Sequence, residues 1–377
     1  MTSTDDRLAR LALTLLTEPG DPRLSDLVEE IGAAEVRDHL LAERDLNGVR
    51  SDIATRLDDI DPARVLREAT ERGMRFLIPG DAEWPTQLDD LHHAEPVFDR
   101  GGPPLGLWVR GPLDLRALAL SVAVVGARSC TSYGDELAAQ MSAEVAQGGV
   151  AVVSGAAFGI DRAAHRGALA GDGHTVAVLA CGVDRAYPAA HRDLLDHLAR
   201  HHAVVSEAAP GWSPTRIRFL SRNRLIAALS GGTVVVEAAV RSGSLSTANW
   251  ASRLGRQVMA VPGPVTSAQS EGVHELLRAG GATVVSRAAH ILEAVGGVGE
   301  HLLEAPRAPT RPRDRLPIRD QQVLDAVPVS HPAAAASVAR TAGVALTEVQ
   351  HILDRLDQAG LVVRLDSGWR LAAAARA

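Results

Sequence analysis

The chain has 377 residues, is 46% hydrophobic and carries 39 basic against 46 acidic side chains, a formal net charge of −7. That length exceeds one ordinary domain and favours two or three. No run of roughly eighteen apolar residues offers a membrane span, and the opening MTSTDDRLAR is acidic rather than basic then apolar, so a cytoplasmic protein with no membrane partner is expected.

The charge is unevenly placed. Residues 1–72 hold 17 acids against 10 arginines, which accounts for the whole excess, and the remainder balances. Within that remainder, the stretch from Ala208 to Arg256 carries Arg216, Arg218, Arg222, Arg224, Arg241, Arg253 and Arg256 against Glu237 alone, a candidate anion-binding face. The chain contains no lysine, so every fixed cation is a guanidinium. Schiff-base chemistry and the lysine of a phosphate-binding Walker loop are thereby excluded. Cys130 and Cys181 each follow an apolar run and read as reduced thiols rather than a disulfide or metal site. No metal or other cofactor is expected.

In chain order, residues 1–72 predict short amphipathic helices whose apolar faces include Leu11, Leu15, Leu24, Leu27, Ile31, Leu40, Leu41, Ile53, Leu57, Val65 and Leu66, broken at Gly20, Gly32 and Gly48. A Pro- and Gly-rich segment follows as far as about Leu115, irregular apart from one strand at Leu107–Arg110. From Ser121 to about Val295, the runs SVAVVG, GVAVVSG, HTVAVLACG, HAVVSE, GTVVVEA, RQVMAVPG and ATVVSR alternate with helical pieces. Continuous apolar strands between helices predict a doubly wound, Rossmann-like α/β domain around a parallel sheet, taken here as 73–300 with its extension. A Pro/Arg-rich linker, 301–317, leads to 318–377, where three helices and a hairpin turning at Asp366–Gly368 have the order of a winged helix.

Ligands of a doubly wound sheet sit beyond the carboxyl ends of its strands, so the strand-to-helix junctions carry the candidate site. VGARSCTSYG supplies Gly126, Arg128, Ser129 and Thr131; SGAAFGID supplies Ser154, Gly155 and Gly159; EAAVRSGSLSTA supplies Ser242, Gly243, Ser244 and Thr247. Each junction puts Gly with Ser or Thr at a helix entrance, where free backbone N–H groups and the helix dipole favour an anion. Asp161 reads as a helix cap. The glycine spacing fails the dinucleotide fingerprint. In IRFLSRNRLIAAL, Arg222, Asn223 and Arg224 are expected to start an apolar helix, against its dipole, and so to need Glu237, Glu207 or a phosphate nearby. One arginine pairing internally would leave the other for a ligand, with Phe219 stacking on a base. His191, His197, His201 and His202 read as a solvated helix face, and His165 as a possible general base without a paired nucleophile.

VGARSCTSYG, SGAAFGIDRAAH, ACGVDRAYP, SEAAPG, RFLSRNRLIAAL, VVVEAAVRSGSLSTANWA and VPGPVTSAQSEGVHELLRAGGA together resemble, in order, the motif series of the DNA-processing protein A family, also called Smf. The resemblance implies a non-catalytic protein that binds and protects single-stranded DNA on its Rossmann-like domain. It also implies homodimerisation through that domain and loading of the RecA recombinase onto incoming DNA in transformation. The helices at the N-terminus resemble that family's sterile-alpha-motif-like or helix-hairpin-helix-like domain, and the tail its winged helix. Arg128 falls on the arginine of the family's Gly-Ser-Arg turn, where Ala127 replaces the serine; Phe219, Arg222, Asn223 and Arg224 fall on its Phe-x-x-Arg-Asn-Arg segment. The alternative is an enzyme: SGGTVVVEAA with Glu237 is similar to the junction of nucleoside-monophosphate phosphoribohydrolases of the lysine-decarboxylase-like family, although Ser230 stands in place of that motif's proline.

Overall fold

The computed structural model describes residues 3–42, 60–297, 299–303 and 312–375. Nine strands pair in one sheet: β1 (Met74–Leu77), β2 (Leu107–Arg110), β3 (Ser121–Val125), β4 (Ala151–Ser154), β5 (Thr175–Val178), β6 (Ala203–Ser206), β7 (Gly232–Val235), β8 (Gln257–Ala260) and β9 (Thr283–Val284). Their order is β1-β2-β6-β5-β4-β3-β7-β8-β9. Every pair from β6 to β9 is parallel, as the seven apolar runs predict. The segment before Ser121 is less irregular than expected. It contributes both β1 and β2, an antiparallel pair that extends the sheet beyond β6.

The two faces of the sheet are filled by alternate residues of the same strands, as the pleat requires. Val122, Val124 and Val152 pack beneath helices at Ser132–Gln147 and Ile160–Ala170, whereas Ala123, Val125 and Val153 pack against helices at Arg216–Ala228 and Ser244–Arg253. Burial on both faces explains why these strands are almost purely valine and alanine.

Four described helices precede the sheet: α1 (Thr4–Leu16), α2 (Pro22–Ile31), α3 (Ala33–Ala42) and α4 (Pro62–Glu71). Ser3, Asp21 and Asp61 cap α1, α2 and α4 through their side chains. Leu11 of α1 packs with Met74, Phe76, Ile78 and Trp108 against the antiparallel margin. Leu27 and Ile31, expected on an apolar face, instead point outward at 42% and 41% exposure. Ile53, Leu57 and Gly48 lie outside the described residues.

After Ser121 the helices are α5 (Ser132–Gln147), α6 (Ile160–Ala170), α7 (Arg192–His201), α8 (Arg216–Ala228), α9 (Ser244–Arg253), α10 (Glu271–Arg278) and α11 (Ala288–Val295). The chain divides into two compact units, Met1–Leu303 and Glu304–Ala377. The second holds α12 (Ile318–Asp325), α13 (Ala335–Ala342), α14 (Leu346–Gln358) and the antiparallel hairpin of β10 (Val362–Leu365) with β11 (Gly368–Leu371). Val323, Val349, Leu353 and Trp369 form its separate core. Among the described residues no helix is long and apolar enough to cross a membrane, and no group of side chains has a metal-binding arrangement.

Candidate functional site

Strand order reverses between β3 and β7, and the crevice beyond their carboxyl ends is where an open parallel sheet offers a ligand site. A cleft of about 810 Å³ opens there. Of the residues predicted for the site, Gly126, Arg128, Ser129, Phe219, Arg222, Asn223, Ser242, Gly243, Ser244 and Thr247 line it. Two of the three junctions and one helix thus converge, spread over more than a hundred residues of chain, and the remaining junction reaches the cleft through Ala157 and Asp161 instead.

Five predicted residues do not line the cleft. Thr131 caps α5, and its hydroxyl and backbone N–H donate to the two oxygens of the fully buried Glu237 at 2.5 and 2.8 Å. Ser154 is fully buried and donates to the Val124 carbonyl at 2.6 Å. Gly155 and Gly159 shape the floor from behind. A Cβ on Gly155 would lie 2.0 Å from Arg222 Nη1, and one on Gly159, whose φ is +74°, would lie 2.2 Å from the Ala127 carbonyl. Arg224 is wholly buried, facing away from the cleft, with Nη2 2.8 Å from Glu207 Oε1.

Arg222, Asn223 and Arg224 do not start their helix, contrary to the expectation from sequence. α8 begins six residues earlier, at Arg216, where the Thr215 side chain accepts from the Arg218 N–H. The three residues therefore lie mid-helix, and neighbouring groups rather than a dipole decide their partners. Arg222 Nη1 donates to the carbonyls of Gly155 at 2.8 Å and Val178 at 2.6 Å, at the carboxyl ends of β4 and β5. Burial lowers its pKa to about 10, with Asp161 opposing that shift, so the guanidinium stays charged at neutral pH. Asp161 accepts from the N–H groups of Gly155 and Ala157 at 3.2 and 3.4 Å, and burial pushes its pKa up against the pull of Arg222.

At the mouth, the exposed Arg128 guanidinium sits 5.0 Å from the Phe219 ring centroid, and Tyr187 approaches the same ring at 5.7 Å. Phe219 is half-buried, an aromatic surface beside cations rather than a core residue. Arg128, Arg216 and Arg241 all line the cleft, are exposed and form no ion pair among the described residues. The arginine-rich stretch is otherwise less free than its composition implies. Arg218 pairs with Glu18, Arg224 with Glu207, Arg253 with Glu95 and Arg256 with Asp90. The sequence reading missed Tyr187, although it is a rare aromatic directly after a strand-end turn, and took Asp161 only for a cap.

Glu237, on which the enzyme alternative depends, is enclosed by Thr131 and does not line the cleft. His165 is fully buried, with Nδ1 2.7 Å from Thr175 Oγ1, and burial drives its pKa down to about 3. It is a neutral core residue, away from the cleft. His191, expected on a solvated face, is buried with Nδ1 2.9 Å from the Ala156 carbonyl and an edge contact to Phe158. Cys130 and Cys181 are both free thiols, and burial lifts the Cys181 pKa to about 11.

The profile of the DNA recombination-mediator protein A family matches residues 75–296, the sheet and its cleft together. A DNA processing protein DprA of Mycobacterium tuberculosis is 42% identical over 362 residues, spanning 95% of this chain and 92% of that one. The X-ray structure of DNA processing protein A from Streptococcus pneumoniae superposes with a TM-score of 0.64 at 31% identity, covering 79% of this chain and all of that one. A structure of DNA processing protein A from Helicobacter pylori, described in terms of its single-stranded DNA binding mode, superposes with a TM-score of 0.51 at 28% identity, covering 58% of this chain and 94% of that one. The fold, the ordered junction motifs and these likenesses place the chain in the DNA recombination-mediator protein A family, also called DprA or Smf.

Proposed function

We propose that this protein binds single-stranded DNA across the cleft at the β3/β7 switch point and serves recombination by loading a RecA-type recombinase onto the bound strand. The observation that carries the binding reading is the cleft's mouth, where Arg128, Arg216 and Arg241 are exposed and, among the described residues, unpaired around the half-buried Phe219. Free guanidiniums meet phosphates, and an aromatic face accepts any base, so the site reads backbone and π-surface rather than base edges. Among the described residues the cleft's one acid, Asp161, is held by two backbone N–H groups and faces Arg222, which limits its repulsion of a strand. Family membership supports the recombinase step, and homodimerisation through the sheet-bearing unit belongs to the same reading. The C-terminal unit is read as a winged helix by its order of elements.

The test is a binding titration of single- and double-stranded oligonucleotides of mixed sequence over a range of salt. Single strands are expected to bind more tightly, with little sequence preference and an affinity that falls steeply with salt. A preference for duplex, or an affinity indifferent to salt, would sink the reading. Recombinase loading is checked separately, by whether the protein speeds RecA filament formation on strands coated with single-strand-binding protein.

A further inference from the structure

Helical spacing divides α8 into two working faces. Phe219, Arg222 and Asn223 turn to the cleft. Arg218, Ser221 and Arg224, three residues apart, turn the other way, onto the loop that joins α1 to α2. The Glu18 carboxylate grips Arg218 with two parallel bonds, from Nε at 2.9 Å and Nη2 at 2.7 Å. One residue on, the Pro19 carbonyl accepts from Ser221 Oγ at 2.7 Å. Gly20 N–H then donates at 3.3 Å to Glu207 Oε1, the oxygen that also accepts Arg224 Nη2 at 2.8 Å. Gly20 has φ +75°, and a Cβ there would stand 3.2 Å from Arg224 Nε, so the loop reaches the arginine only as backbone.

These contacts matter because the two halves of α8 are held differently. From Ser221 to Ala228 every residue is buried in the core, whereas Arg216 and Ile217 of the first turn are exposed. Phe219 sits in this less supported half, between Arg218 and Ser221, whose side chains the loop holds. Arg218 is fixed further by the Trp212 ring, 4.2 Å from its guanidinium, and by a 2.6 Å bond to the Ser213 carbonyl.

We propose that the Glu18–Gly20 loop is a brace that sets the rotation of the first half of α8 and so presents Phe219 to the bound strand, with Glu18 and Arg224 acting as positioning residues. The proposal rests on the single-strand reading above. It also gives the N-terminal helices a part in DNA binding without a DNA contact of their own.

The experiment compares the full chain with its Glu18→Ala and Glu18→Gln variants. It uses anisotropy of a labelled single-stranded oligothymidylate over several salt concentrations, together with thermal melting and amide hydrogen exchange across residues 216–222. Glu18→Ala is expected to weaken binding by about three- to tenfold, part of the worth of one stacked base. The salt slope should hold, because no phosphate contact is lost, and amide exchange in the first turns of α8 should quicken. Glu18→Gln keeps an acceptor for Arg218 and should recover most of the affinity. Equal or tighter binding by Glu18→Ala overturns the brace. So does a loss accompanied by a salt slope lower by about one unit, which makes Arg218 a phosphate contact that Glu18 merely aims. If the unaltered chain binds no single strand, the single-strand reading itself falls, an outcome distinct from either of these.

Discussion

Removing the Arg128 side chain takes away an exposed guanidinium that no carboxylate among the described residues holds. Arg128→Ala should therefore lower single-strand affinity and reduce the salt slope by about one unit while leaving the melting temperature nearly unchanged. Arg224→Ala should act on stability first and leave the salt slope unchanged. It strands Glu207, whose side chain is only 9% exposed, and breaking such a buried pair costs about 3–5 kcal/mol of stability, read by denaturant unfolding. Phe219→Ala tests stacking: affinity should fall by about 1–3 kcal/mol with an unaltered salt slope, whereas a pure core residue would lower stability first. The three outcomes together separate a phosphate contact, an internal ion pair and a base platform within one cleft wall.

At the scale of the element, the cap of α5 is where a predicted ligand residue has a structural task. Thr131 both caps the helix and satisfies Glu237. Thr131→Val should cost at least about 1 kcal/mol of stability from the lost cap alone, with affinity per folded molecule unchanged; a large fall in affinity with stability intact would return Thr131 to the DNA site. The central parallel strands β3 and β4 were legible because burial on both faces writes itself as nearly uninterrupted valine and alanine. β1 was not, since MRFL is four residues long and mixes a charge into a strand of the antiparallel margin. The glycine-bearing junctions were legible as turns, and ten of their residues and those of α8 do meet. What the sequence could not disclose is orientation. Arg222 and Arg224 are two residues apart and so point to opposite sides of one helix, and the acid that claims Arg224 comes from the end of β6, 17 residues earlier.

For the whole molecule, the acids of residues 1–72 are kept from the cleft: Asp6 pairs with Arg10, Asp5 and Asp38 with Arg37, Glu68 with Arg64 and Glu18 with Arg218, and among the described residues none of them lines it. In the C-terminal unit three exposed acids gather on one helix. Glu348, Asp354 and Asp357 are exposed on α14, and its one arginine, Arg355, is tied to Asp320. A groove-reading role suits that helix poorly, so deleting residues from Glu304 onward should change single-strand affinity by less than about tenfold in the same titration. Acid should unfold the protein through one buried and one half-buried imidazole. His165 and His202 have pKa values lowered from 6.5 to about 3 and about 4 by burial, so the unfolded chain binds protons that the folded one refuses. Their contribution is complete above pH 6.5 and is lost as pH falls from there towards 3, a decline that His165→Gln should flatten in urea titrations at successive pH values. The reversal of strand order that makes the cleft also sets a timetable for synthesis. β3 is complete at Val125, but the strand that covers its far edge, β7, begins only at Gly232. At translation rates of about 5–20 residues per second, the apolar edge of β3 waits roughly 5–20 s on the ribosome for its partner, open to any other strand that reaches it first.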